Sequence, residues 1–303
     1  MLQTTDLTVR FGGHVAVNAV SCAFAPGTLT AIVGPNGAGK TTYFNLISGQ
    51  LRATSGRVSL NGRDLSGQSV SQRTRAGLGR AFQLTNLFPR LTVMENVRLA
   101  VQAARAGAHR RGLNLWSIWS DHAALTGRAG EVLETVALAG KREEIVANLP
   151  HGDQRKLEVA LLMALESSVF MFDEPTAGMN AAEAPVILNL IRQLKADRSK
   201  TILLVEHKMD VVRELADRII VLHNGALVAD GEPAEVIASP IVQEAYLGVV
   251  PGDTHVAPGQ YVTPPQPNLP RGQTPQHVTP PHPDLPPRGG RSDAGTGASG
   301  GAP

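Results

Sequence analysis

The chain has 303 residues, 42% hydrophobic and 18% charged, enough for one large or two modest domains with a buried core. Its net charge of +2, with basic residues lying close to acidic ones, argues against a nucleic-acid footprint. The single cysteine, Cys22, excludes a disulfide framework and a cysteine-based zinc site, fits a reducing compartment, and reads as core filler rather than a nucleophile.

The N-terminus, Met1-Leu2-Gln3-Thr4-Thr5-Asp6, has no basic segment leading into an apolar one, so no secretory signal is expected. No window of about 18 apolar residues predicts a membrane span. Residues 4–11 and 16–25 alternate apolar with polar or small side chains, which predicts two antiparallel strands joined through Gly12-Gly13. Residues 28–33 are β-branched and apolar and predict a buried strand, and residues 41–48 predict a helix closed by Gly49. Between them lies Gly34-Pro35-Asn36-Gly37-Ala38-Gly39-Lys40-Thr41-Thr42, which fits the phosphate-loop pattern G-x-x-x-x-G-K-[ST] in the strand-loop-helix context it requires. Its glycines let the backbone bend round phosphates with N–H groups turned inward, and the helix N-terminus adds partial positive charge. Lys40 then reaches the β and γ phosphates, and the Thr41 hydroxyl can ligate Mg²⁺.

Residues 56–60 predict a strand paired with a short partner near Asp64-Leu65 through the turn Asn61-Gly62. A helix over 70–77 and a short strand over 78–83, ending in Gln83, come next. Thr92 and Glu95 have capping-box spacing, and apolar positions recur helically through Val101. Residues 103–119 are basic and carry Trp116 and Trp119 three apart, a pair that either packs on the helical region or touches lipid or a partner. The pattern continues with helices over 121–139 and 154–165, a strand over 169–172 and a helix over 182–196. A strand over 201–205, a helix over 209–216 and strands over 218–222 and 226–230 complete it. Strands alternating with helices imply a parallel sheet wound with helices, whereas 91–165 has helices alone and reads as an inserted helical subdomain.

Residues 251–303 hold more than half of the chain's 21 prolines and end in Gly, Ser and Ala. Within them Val262-Thr263-Pro264-Pro265 recurs as Val278-Thr279-Pro280-Pro281. Such a tail buries too little to offset its ordering entropy and is expected to be disordered with polyproline II character. A docking site for a proline-reading domain is the sharper alternative, and His277 with His282 makes a poor metal site.

A phosphate loop alone leaves kinases, GTPases, helicases and transport ATPases open. Val169-Phe170-Met171-Phe172-Asp173-Glu174 narrows the choice, because an apolar strand delivers two consecutive acids, the Walker B arrangement. Asp173 is placed to order the Mg²⁺ shell and Glu174 to polarise an attacking water.

With both motifs in order, residues 1 to about 250 resemble the ATP-binding subunit of an ABC transporter. The resemblance implies that Phe11 stacks on adenine and that Gln83 contacts Mg²⁺ and the water and senses the transmembrane partner. It implies that His207, in Val205-Glu206-His207, hydrogen-bonds the γ-phosphate; from the residues alone His207 is equally a satisfied strand-end histidine. Leu149-Pro150-His151-Gly152-Asp153-Gln154 stands where the family has Leu-Ser-Gly-Gly-Gln, the loop that grips the γ-phosphate of the opposite subunit. It keeps Leu149 and Gly152, while Pro150, having neither hydroxyl nor backbone N–H, must lack one usual phosphate contact. The D-loop, Ala177-Gly178-Met179-Asn180, is altered as well.

These departures, with Asn18, Phe44-Asn45, Gly79-Arg80-Ala81-Phe82-Gln83, Glu206-His207-Lys208-Met209-Asp210 and Ala245-Tyr246-Leu247-Gly248, resemble the branched-chain amino acid importer type, which also includes urea and short-amide importers. The implied fold is α/β: a P-loop NTPase core with an N-terminal antiparallel β subdomain, a helical subdomain over about 85–165, and the tail 251–303. The implied cofactors are ATP and Mg²⁺. The implied partners are a second ABC ATPase subunit, related or identical, two integral-membrane permeases and a periplasmic or extracellular solute-binding protein. No nucleic acid is expected, and the location is the cytoplasmic face of the plasma membrane. An envelope-lipid exporter has the same fold. A soluble ABC-type ATPase acting on nucleic acid or ribosomes would instead predict a long coiled-coil insertion or tandem P-loops.

Overall fold

The computed structural model describes residues 1–81, 87–108, 122–179, 183–240 and 242. The described residues all lie within one compact unit, Met1–Thr254. The proline-rich repeat, Gln83, Trp116, Trp119, Asn180 and the segment Ala245-Tyr246-Leu247-Gly248 lie outside the described residues.

Strands β1 (Leu2–Phe11) and β2 (His14–Phe24) pair antiparallel, with Phe11 opposite His14 and Leu2 opposite Phe24. They join β4 (Ser55–Leu60) and β5 (Arg63–Asp64) in a four-stranded sheet of order β2-β1-β4-β5. At the β4–β5 turn Asn61 and Gly62 take φ of 51° and 78°, the left-handed pair that a two-residue hairpin of the right twist needs.

The second sheet has the order β10-β9-β3-β8-β7-β6. Its strands are β3 (Leu29–Val33), β6 (Leu78–Ala81), β7 (Val169–Asp173), β8 (Thr201–Val205), β9 (Arg218–His223) and β10 (Ala226–Gly231). The first five run parallel, and β10 closes the edge as an antiparallel hairpin with β9. Strands β3 and β8 are buried at every position, which is why their sequences are predominantly apolar, with only Thr30 and Thr201 polar, and do not alternate.

Helices α1 (Lys40–Ser48), α2 (Val70–Arg75), α6 (Ala184–Ala196), α7 (Met209–Leu215) and α8 (Pro233–Ala238) accompany the sheets. Helices α3 (Val93–Ala108), α4 (His122–Thr135) and α5 (His151–Ala164) pack on one another, and their apolar faces continue into the core beneath the parallel sheet. The capping box forms: the Thr92 N–H donates to Glu95 Oε2 at 2.8 Å, and the Glu95 N–H to Thr92 Oγ1 at 3.1 Å. Arg73 of α2 is buried and donates to the carbonyls of Leu46 and Ile47, both at 2.7 Å, satisfying the last turn of α1.

Strands β1 and β2 begin two residues earlier than expected, and three helices depart from expectation. Helix α4 ends at Thr135 and not at 139, because Ala137 takes a left-handed φ of 55° and turns the chain into a short 3₁₀ segment at Ala139–Lys141. Helix α5 starts at His151, three residues before the expected 154, because the Pro150 carbonyl already accepts from the N–H groups of Asp153 and Gln154 at 3.0 and 3.1 Å. Helix α8, six residues with a proline in its first turn, had no strong periodic signal and was not anticipated.

Candidate functional site

The phosphate loop leaves the end of β3 and enters α1. Gly34 has φ 152° and Gly39, the residue before the helix, has φ 96°. A Cβ on Gly34 would lie 2.1 Å from the Leu222 carbonyl oxygen, and one on Gly39 would lie 2.5 Å from that of Ala16. The loop is therefore wedged between the backbones of β9 and β2, and glycine is required by the close approach as well as by the turn. Gly39→Ala is expected to cost at least about 2 kcal/mol of stability and to weaken nucleotide binding, checked by thermal unfolding and ATP titration.

Lys40 opens α1, buried, and its Nζ donates to the carbonyls of Gly34 at 2.6 Å and Pro35 at 2.9 Å. Burial holds its ammonium below the ordinary lysine value, opposed by the carboxylates of Glu174 and Asp173. Those two acids therefore lie near enough to act on the Lys40 charge. Thr41 follows with its side chain exposed on the first turn.

Strand β7 delivers Asp173, whose Oδ2 accepts from Arg80 Nη2 at 2.7 Å. Burial raises the Asp173 carboxyl above the usual carboxylate range even against the pull of Arg80. Glu174 turns out of the strand with a left-handed φ of 49°, while its N–H donates to the Val205 carbonyl at 2.9 Å. This bond sets the acid beside the end of β8, where His207 Nδ1 lies 3.7 Å from Glu174 Oε1 and 3.7 Å from Glu206 Oε2. Glu206 is buried and accepts from Thr176 Oγ1 at 2.8 Å and from the His207 N–H at 3.0 Å.

Lys40, Asp173, Glu174 and His207 therefore meet at the C-terminal ends of three neighbouring parallel strands, β3, β7 and β8, where open α/β sheets place ligands. Phe11 ends β1 with its ring half-exposed. Gln83 lies outside the described residues.

Leu149, Pro150, His151, Gly152, Asp153 and Gln154 gather elsewhere, at the start of α5. Burial alone would raise the Asp153 carboxyl, but hydrogen bonds from Lys141 at 2.8 Å and Lys156 at 2.7 Å hold it below the usual range. Gln154 Nε2 donates to the Leu149 carbonyl at 3.0 Å and braces the turn. Gly152 is pressed by Glu183, whose Oε1 would sit 3.0 Å from a Cβ there. Pro150, Gly152 and Lys156 line a cleft of about 310 Å³ with Met179 and Val186.

Sequence reasoning gave no role to Arg80, Thr176 or Glu206. The signals were present: Arg80 is the one charged residue of β6, and Glu206 directly follows the four buried apolar residues Ile202–Val205.

The description "ABC transporter" matches residues 17–177, and "Branched-chain amino acid ATP-binding cassette transporter" matches residues 226–250. The chain is 38% identical over 249 residues to the high-affinity branched-chain amino acid transport ATP-binding protein LivG of Salmonella typhimurium, covering 82% of this chain and 98% of that one. It is 36% identical over 250 residues to BraF of Pseudomonas aeruginosa, a protein of the same description, with 82% and 98% covered. Among solved structures, an ATP-binding cassette of an ABC transporter in its ADP conformation superposes with a TM-score of 0.69 at 28% identity, covering 82% of this chain and 99% of that one. A nucleotide-free cassette gives a TM-score of 0.68 at 27% identity, with 81% and 98% covered. Motif order, strand-end geometry and similarity along nearly the whole length of its relatives coincide, and the chain belongs to the ABC transporter family, among its branched-chain amino acid transport ATP-binding proteins.

Proposed function

We propose that this chain is the ATP-hydrolysing subunit of an importer for branched-chain or other amino acids. The observation that carries the reading is the meeting of Lys40, Asp173, Glu174 and His207 at adjacent strand ends, in a chain whose residues 226–250 match the branched-chain amino acid transporter model. Residues 1–250 act as the ATP-binding domain, with about 85–165 as its helical subdomain.

The backbone of Gly34–Thr42 and the Lys40 ammonium bind the triphosphate, and the Phe11 ring stacks on adenine. The exposed Thr41 hydroxyl and the Asp173 carboxylate are hard oxygen donors that suit Mg²⁺, with Gln83 as a further ligand. When bound, Mg²⁺ neutralises charge on the β and γ oxygens. Glu174 accepts a proton from the attacking water as the bond from the γ-phosphorus to the β-bridging oxygen breaks, releasing ADP and phosphate. His207 donates to a γ-phosphate oxygen, with Glu174 and Glu206 each 3.7 Å from its Nδ1.

Leu149–Gln154 presents the N-terminus of α5 to the ATP held by a second ATPase subunit. Nucleotide thus favours a closed pair, hydrolysis releases it, and two attached permeases follow the change. A solute-binding protein outside the membrane delivers the amino acid. No described helix is long and apolar enough to cross a membrane, so attachment to the cytoplasmic face runs through the permeases.

The test is reconstitution with its permeases and solute receptor in vesicles. ATP-driven leucine uptake that stops with Glu174→Gln is expected. ATP hydrolysis without uptake of any amino acid would overturn the import reading.

A further inference from the structure

Arg80 is buried where β6 would otherwise be wholly apolar or small. Its side chain is 7% exposed and that of Asp173 is 9% exposed. The guanidinium is held on two sides. Nη2 donates to Asp173 Oδ2 at 2.7 Å, while Nη1 donates to Asn45 Oδ1 at 2.7 Å and to Ser48 Oγ and Gln50 Oε1 at 3.0 Å each. Its Cζ lies 5.2 Å from the centroid of the Phe44 ring, so the cation also rests on an aromatic face of α1. The fork therefore spans from the helix of the phosphate loop to the end of β7. It has little freedom to leave.

Burying this pair carries a desolvation cost that well-packed apolar residues would avoid, so the ion pair is weak support for stability alone. Its position suggests a different use. The same Asp173 that is assigned to Mg²⁺ is already faced by a fixed positive charge, in a site that must receive a highly anionic triphosphate.

We infer that Arg80 is a positioning residue that acts as a resident counter-ion for Asp173, holding the carboxylate in place and cancelling its repulsion of incoming nucleotide until a divalent cation takes over that task. The inference rests on the Mg²⁺ role proposed for Asp173. It differs from a purely structural clamp between β6 and α1, because the charge of residue 80, and not only its hydrogen bonds, sets how strongly nucleotide binding depends on metal.

The experiment compares ATP affinity of the full chain with Mg²⁺ and with EDTA, by calorimetry, in wild type, Arg80→Gln and Arg80→Lys. Arg80→Gln keeps a planar polar head and removes the charge. Its ratio of EDTA to Mg²⁺ dissociation constants is expected to rise at least about tenfold over wild type. Arg80→Lys keeps the charge and loses the fork, so its ratio stays within about threefold of wild type while its melting temperature falls. An Arg80→Gln ratio less than about tenfold above wild type, or an Arg80→Lys ratio outside about threefold, overturns the inference and leaves Arg80 a structural clamp. Should Arg80→Gln not fold, Arg80→Met, likewise uncharged, takes its place under the same tenfold limit. Wild-type turnover that persists in EDTA would strike the metal reading itself; insensitivity confined to the variants strikes only the role of Arg80.

Discussion

Glu174→Gln is expected to retain ATP while phosphate release falls by more than about tenfold. The amide matches the carboxylate in size, and Glu174 keeps its place through a backbone bond to Val205, which the substitution leaves intact. Its φ of 49° already lies in the left-handed region, where an unbranched side chain such as glutamine is tolerated as well as glutamate. What disappears is the proton acceptor beside His207. With hydrolysis blocked and binding preserved, the closed pair of ATPase subunits should accumulate in ATP, visible as an earlier peak in size-exclusion chromatography. Near-normal phosphate release would remove Glu174 from the chemistry.

Lys40→Ala is expected to weaken ATP binding by at least about a hundredfold, measured by the same titration. The effect has two parts. The variant loses the ammonium that neutralises the β and γ phosphates, and it leaves the Gly34 and Pro35 carbonyls without the donor that folds the loop over it. Asp173 and Glu174 would then face the triphosphate with one compensating charge fewer. Unchanged affinity would show that the backbone amides alone hold the ligand and would sink the role given to Lys40.

Much of this arrangement was legible in the residues. The runs 28–33 and 201–205 read as buried strands, and the acids at the end of β7 stood out because two consecutive carboxylates closing an apolar strand are unusual in a chain with a phosphate loop. The start of α5 was placed late, since His151-Gly152-Asp153 has no apolar periodicity and its helical state depends on the Pro150 carbonyl. Strand order was not legible either. Nothing local says that β3 lies between β8 and β9, or that β1 sits between β2 and β4; such neighbours are chosen by packing across long crossovers. The roles of Arg80 and Glu206 stayed hidden for the same reason. Each is defined by what it touches, Asp173 and Asn45 for one and Thr176 for the other, at sequence distances no periodicity can span.

The glycines of the phosphate loop carry a consequence beyond their own flexibility. With Leu222 pressing from one side and Ala16 from the other, the curvature of the loop is a gauge set by the gap between two sheets, and that gap belongs to residues scattered over the first and last thirds of the unit. A nine-residue motif names the ligand, but the stiffness with which it is held is borrowed from the whole architecture, so an excised strand-loop-helix fragment would keep the signature and lose the grip.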